Sequence, residues 1–196
     1  MRILVIYAHP VDTSYVAAMR DAVLEGLGTG NHDTRILDLY AQNFEPCLSA
    51  EEHRLYLDET QNQNTIAEHI ALIRWAEGLV FVFPTWWYGP PAILKGWLDR
   101  TLAPGVAFML DEKGGDIRPG LTHIRLIAGV TSCGSSWWFA KYVGEPHRRI
   151  LMRGIAALCA RGVSKIWLAK FNMDQAEKPA LARHLRKIEQ RFAALR

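Results

Sequence analysis

Five short apolar runs punctuate the chain. Ile3 to Tyr7 is apolar throughout and is followed by His9-Pro10, as expected of a strand buried on both faces. Thr34 to Tyr40 reads as a second strand and Gly78 to Phe83, the most strand-like segment, as a third that ends at Pro84. His123 to Val130 and Val163 to Ala169 read as the fourth and fifth. Between them, apolar residues recur every three or four positions. Val16, Met19, Val23 and Leu27 form one such face, with Thr13 or Ser14 as the cap and Gly28 and Gly30 as the stop. Ile66, Ile70, Leu72 and Ile73 form another, and Ile93, Leu94, Trp97 and Leu98 a third on a helix from about Pro91 to Leu102. Arg148 to Arg161 and Gln175 to Leu195 complete the helices, whereas Glu51 to Asn64 is polar with little periodicity.

Strands alternating with helices predict an α/β fold with a five-stranded parallel sheet, because each crossover is right-handed and lays its helix on a sheet face. Five strands favour the order 2-1-3-4-5. In such sheets ligands bind outside the carboxyl ends of the strands, near the point where the order reverses. The loops after strands one, three and four are therefore where chemistry is expected.

Composition narrows the class. At 196 residues, with 49% hydrophobic and 22% charged positions, the chain suits one globular domain spanning 1–196. The net charge of +3 is too small to imply a nucleic-acid or membrane partner, and Arg183, Arg186, Lys187, Arg191 and Arg196 read as a solvated helix face. Cys47, Cys133 and Cys159 are odd in number and lack metal-site spacing, so no disulfide or metal is expected. No signal peptide or membrane-spanning run is read, and a cytoplasmic location is expected. The unusual count is seven tryptophans.

Four of these fall in the expected loops. The first loop, His9 to Ser14, places hydroxyls and free amides at a helix N-terminus, where a phosphate is favoured, although capping alone also explains its composition. Asp12 must then point away. Gly26-Leu27-Gly28-Thr29-Gly30-Asn31 resembles a dinucleotide-binding glycine pattern but closes a helix instead of opening one, so it reads as a helix stop. After strand three, Pro84-Thr85-Trp86-Trp87-Tyr88-Gly89-Pro90-Pro91 carries adjacent large aromatics whose side chains diverge. At least one should line a cavity that suits a flat ligand. After strand four, Gly129 to Ser136 offers small residues and exposed amides before a second pair, Trp137-Trp138. Neither Ser136 nor Cys133 has the context of a hydrolytic nucleophile.

Together, Tyr7-Ala8-His9-Pro10 with Thr13-Ser14-Tyr15, and Phe83-Pro84 through Trp87-Tyr88 into Pro91-Ala92-Ile93-Leu94-Lys95-Gly96-Trp97-Leu98-Asp99-Arg100, resemble the flavodoxin-like NAD(P)H quinone oxidoreductases (DT-diaphorase-like) over nearly the whole chain. The resemblance implies a three-layer flavodoxin-like fold and a non-covalent flavin, FAD or FMN. His9, Thr13, Ser14, Tyr15 and Ala18 would surround its phosphate and ribityl chain. Pro84, Thr85, Trp86, Trp87 and Tyr88 would flank its ring, and Thr131, Ser132, Cys133 and Gly134 would meet its pyrimidine edge. Ser132 and Cys133 depart from the family's loop, and Val16 stands where many members have an asparagine.

The activity implied is hydride transfer from NAD(P)H to a quinone or similar small acceptor by a ping-pong route, on a homodimer whose subunits share each site. Tyr142 and His147 resemble the family's tyrosine and histidine near the ring edge, although Phe139 competes for the tyrosine's place and His147 also reads as a surface residue of a basic helix. Phe108, with Trp137 and Trp138, would close the substrate pocket, next to a hairpin from Met109 to Gly120. Two alternatives remain: an ancillary flavoprotein regulating a membrane potassium-efflux system, or a flavodoxin-like electron carrier.

Overall fold

The computed structural model describes residues 1–110 and 117–196. Its main sheet is built from β1 (Arg2–Tyr7), β2 (Asp33–Asp38), β3 (Gly78–Pro84), β6 (Leu126–Ser132) and β7 (Ser164–Lys170). All are parallel, in the order β2-β1-β3-β6-β7. This is the predicted order 2-1-3-4-5 when the sheet strands are numbered alone. A short antiparallel pair, β4 (Phe108–Met109) with β5 (Arg118–Pro119), flanks the predicted hairpin. Its central Gly114 and Gly115 lie outside the described residues.

Both sheet faces are covered. On one, α1 (Tyr15–Thr29) and α7 (Lys178–Ala193) bury Val16, Met19, Val23, Leu27, Ile188 and Phe192 against β1, β3, β6 and β7. On the other, α3 (Ala67–Trp75) and α4 (Ala92–Thr101) enclose a larger cluster centred on Phe81, Phe83 and Trp97. Every residue of β3 and β6 is buried, which explains their unbroken apolar runs: strands covered on both faces have no solvent side on which to alternate. The glycine pattern at 26–31 is indeed a helix end. Gly26 lies where α1 meets α7, and a Cβ there would stand 2.4 Å from the Glu189 carbonyl. Gly30 caps the helix and Asn31 turns away at φ 53°.

Three segments differ from expectation. The polar stretch contains α2 (Ala50–Leu55), which buries no residue and stands on a Ser49/Glu52 capping box instead. Burial raises the Glu52 carboxyl, but hydrogen bonds from Thr65, the Ser49 amide and Arg100 overcome it and hold it at about 2. Apolar periodicity does not register a helix held by caps and an ion pair. The fourth sheet strand, expected from His123 to Val130, starts three residues later at Leu126 and ends at Ser132, so Gly129 to Ser132 are buried ladder residues and the loop begins at Cys133. The helix expected at 148–161 is three short turns: α6 (Pro146–Arg149), a π turn at Ile150–Gly154 and a 3-10 turn at Ile155–Leu158. The altered winding turns Leu151, Met152 and Ile155 all toward the core.

Candidate functional site

The loops after β1, β3 and β6 meet at one end of the sheet. In the first, Ser14 caps α1, its hydroxyl accepting from the Ala17 amide at 3.1 Å. Asp12 points into solvent toward Arg20, at 3.9 Å. The amides of Thr13, Tyr15 and Val16 donate to no group among the described residues, and their helix dipole favours an anion. At the end of β1 the buried Tyr7 hydroxyl also has no hydrogen-bond partner among the described residues. His9 bonds the Val11 backbone and approaches Trp86, ring centroids 6.3 Å apart, which ties this loop to the next.

The loop after β3 is a tight turn. Trp86 and Gly89 exchange both backbone hydrogen bonds, at 3.1 and 2.9 Å, and the two residues between them, Trp87 and Tyr88, have φ of 47° and 60°. That is the type I′ geometry, normally reserved for Asn and Gly because both central residues are left-handed. Two bulky aromatics in this conformation cost on the order of 1–3 kcal/mol each. The chain offsets the strain from below. The His147 Nδ1–H donates to the Tyr88 carbonyl at 2.6 Å, and the other ring nitrogen lies 3.5 Å from the Thr85 hydroxyl, which in turn bonds Thr131 at 2.9 Å. A carbonyl oxygen can only accept, so Nδ1 carries a hydrogen. Phe83 and Trp167 pack around it, and burial pushes its pKa down against the opposing pull of the Tyr88 bond and Glu145.

The third wall is pinned by the segment after β7. The Cys133 amide donates to Lys170, while the Met173 and Asn172 amides donate to the Cys133 and Ser135 carbonyls. The amides of Gly134, Ser135 and Ser136 are left without partners among the described residues. Between this wall and the strained turn lies an open cleft of about 260 Å³ lined by Thr85, Trp87, Tyr88, Cys133, Gly134 and Ser135. One side is aromatic and the other presents donors. Such a cleft can hold a flat ring with polar edges, while the α1 end can hold an anionic tail.

Several predicted residues lie elsewhere. Thr131 and Ser132 are buried strand residues beneath the cleft, and Pro84 is the last residue of β3. The Tyr15 hydroxyl bonds His184 of α7 at 2.8 Å, and Ala18 is half-buried on α1. Phe108 packs against the core on β4 and does not enter the cleft of its own chain. Trp137 lines a separate recess, while Trp138 stacks edge-on against it and faces solvent. Tyr142 is 86% exposed at the rim, in line with Phe139 and Tyr88, and is not brought onto His147. The surface reading of His147 is corrected: it is 4% exposed, because α6 turns inward under the strained turn. Ser135 was not foreseen. Its only sequence signal was its place among small residues, and what aims it is the Asn172 bond made by a distant segment.

An open parallel α/β sheet with a ring-sized cleft and an anion-ready helix start at its carboxyl end defines a class of nucleotide-cofactor-type folds. The chain belongs to the family described as having a flavodoxin-like fold, which it matches over residues 1–192. Ribosyldihydronicotinamide dehydrogenase (quinone) of Homo sapiens is 31% identical over 157 residues, 71% of this chain and 67% of that protein. A protein of Streptococcus mutans UA159 of known crystal structure covers 100% of both chains at TM-score 0.84 and 27% identity. The NAD(P)H:quinone oxidoreductase of Methanothermobacter marburgensis shares the fold at TM-score 0.80 and 23% identity, over 98% of this chain and 94% of its own. The chain spans 45% to 67% of the length of the curated relatives it matches.

Proposed function

We propose that the protein is a flavin-dependent NAD(P)H:quinone oxidoreductase acting as a homodimer in the cytoplasm. The observation that carries this reading is the aromatic turn held in a strained conformation across a cleft from unpaired amides. Strain of that kind persists where surrounding structure over-determines it, and it clusters at ligand clamps. The residues fit a flavin. Trp87 and Tyr88 supply a flat apolar wall, and the amides of Gly134 and Ser135 suit a carbonyl-rich ring edge on which negative charge develops. The unpartnered Tyr7 hydroxyl and the α1 amides suit a phosphate. A bound flavin would supply the two-electron chemistry, taking hydride from NAD(P)H and passing it to the acceptor.

The chain's own groups bind and position. His147 is a positioning residue that fixes the Tyr88 carbonyl and hence the turn. The rim aromatics Trp87, Trp138, Phe139 and Tyr142 form an exposed apolar band of the kind that marks an interface, which supports a second copy of the chain over the cleft. The unpaired cysteines suit a reducing compartment, and no described helix is long and apolar enough to cross a membrane.

The test is direct. The purified full chain is expected to be yellow, or to turn yellow on adding FMN or FAD. It should bleach with NADH or NADPH under nitrogen and recover its colour with a quinone. A protein that binds neither flavin overturns the reading; one that binds flavin but ignores both nicotinamides reduces it to a carrier or a regulatory flavoprotein.

A further inference from the structure

Trp167, which packs against His147, also lines a second and larger concavity of about 680 Å³. Lys141 of α5 (Trp137–Val143), Arg148 and Arg149 of α6, Arg153 of the π turn and Lys165 of β7 line it, with Glu145 as its one carboxylate. Five cations against one acid in a single hollow exceed the net +3 of the entire chain. The positive charge is thus gathered, although the sequence spreads it over four segments.

The hollow is also built. Glu145 is buried in a left-handed conformation at φ 46°, where it holds Lys141 and Arg148 in ion pairs, the latter at 3.2 Å. Its charge is consumed by those two, which leaves Arg149, Arg153 and Lys165 without acidic partners among the described residues. Arg153 stands on a π turn, a feature that recurs at functional sites. A smaller recess adjoins, sharing Lys141, Glu145, Arg148 and Trp167 and adding His184 and Lys187. Of the six buried side-chain polar atoms that lack a hydrogen-bond partner among the described residues, three belong to residues lining this groove: Arg148 Nε, Trp167 Nε1 and His184 Nε2. Two of these, Arg148 Nε and Trp167 Nε1, are obligate donors; the third is an acceptor, because the Tyr15 hydroxyl donates to the Leu181 carbonyl and so accepts from the His184 Nδ1–H.

We infer that this groove is an oxyanion site that takes a phosphate group. Converging guanidinium groups bind phosphate bidentately, and donors with no internal partner gain what a bound oxyanion supplies. The phosphate has two candidate sources: the 2′-phosphate of NADPH, an assignment that rests on the redox reading of the neighbouring cleft, or a separate phosphorylated molecule.

Titration calorimetry on the full chain, with inorganic pyrophosphate and adenosine 2′-phosphate at fixed ionic strength, tests the site without reference to flavin. Saturable binding is expected, weakened at least tenfold by Arg153→Gln with Lys165→Gln. These two side chains are exposed, so the pair should fold even if Arg148→Ala, which takes one of its two cationic partners from the buried Glu145, does not. Arg183→Gln with Arg186→Gln, on the exposed face of α7, should leave binding unchanged. Absence of saturable binding, or equal losses in both pairs, overturns the inference. A raised KM for NADPH with an unmoved KM for NADH in the groove variant assigns the phosphate to the hydride donor. Unmoved values for both, with pyrophosphate binding lost, assign it to a separate ligand. A protein that binds pyrophosphate but neither flavin keeps the site and discards the redox reading.

Discussion

Trp97 and Trp87 are ten positions apart and share one chemistry, yet the fold treats them oppositely. Trp97, on α4, is fully buried, edge-on to Phe81, with its indole N–H donated to His69 at 3.2 Å. Around it α4 runs so close to the segment between β2 and α2 that a Cβ on Gly96 would stand 2.2 Å from the Pro46 carbonyl. Here sequence, conformation and packing agree. Trp87 is 96% exposed and left-handed, the opposite of what either its size or its conformational preference favours. One tryptophan is placed by the core's demand for volume. The other is held against its own preferences by neighbours, chiefly His147, and local cost without local gain is how a fold marks a working surface.

The largest effect that sharpens this contrast is expected at the core. Trp97→Ala should lose about 3–5 kcal/mol of stability, as large buried aromatics do when truncated, read as a drop in the urea midpoint. His147→Ala comes next. It leaves the Tyr88 carbonyl without its donor and opens a void beside Phe83, so a loss of about 2–3 kcal/mol is expected. Ligand binding in the cleft should fall with it, and a variant that lost stability alone would detach His147 from the turn.

Acid should erode the fold gradually. Burial lowers the pKa of His147 and brings His184 down to about 4 from 6.5. Both rings are neutral in the folded protein at pH values where the unfolded chain already binds protons. Stability is therefore full above about 6.5 and declines as pH falls from there toward 4. His184→Gln should flatten that decline in a series of thermal melts, and an unaltered slope would exclude His184 as a source.

The smallest change in stability is expected at Trp87→Gly, within about 1 kcal/mol of wild type, because the strain relieved offsets the contacts removed. Flavin affinity in the same variant should nevertheless drop about tenfold. A variant that lost stability and kept its ligand would invert the comparison between the two tryptophans.

The sheet was readable because strands buried on both faces must be continuously apolar, and β1 and β3 declare themselves in that way. Helix α1 was readable from its cap and its periodicity together. Helix α2 was not, because a capping box and an ion pair to Arg100 leave no apolar stripe. At the site, Thr85, Trp87, Tyr88, Cys133 and Gly134 were legible as loop residues past strand ends. Thr131 and Ser132 were misread as loop, since a strand's last residues look like the loop when they are small and hydroxylated.

Sequence alone determined the order of the strands, the end of the sheet where ligands gather and the abundance of aromatics there, since all of these follow from local pattern and the handedness of crossovers. Tertiary structure alone decided that His147 goes under the turn and Tyr142 to the rim. It also decided that Phe108 stays out of its own chain's cleft and that cations from four segments face one hollow. These depend on contacts between residues far apart in the chain, such as His147 with Tyr88 and Asn172 with Ser135, and no periodicity encodes a contact across such a distance.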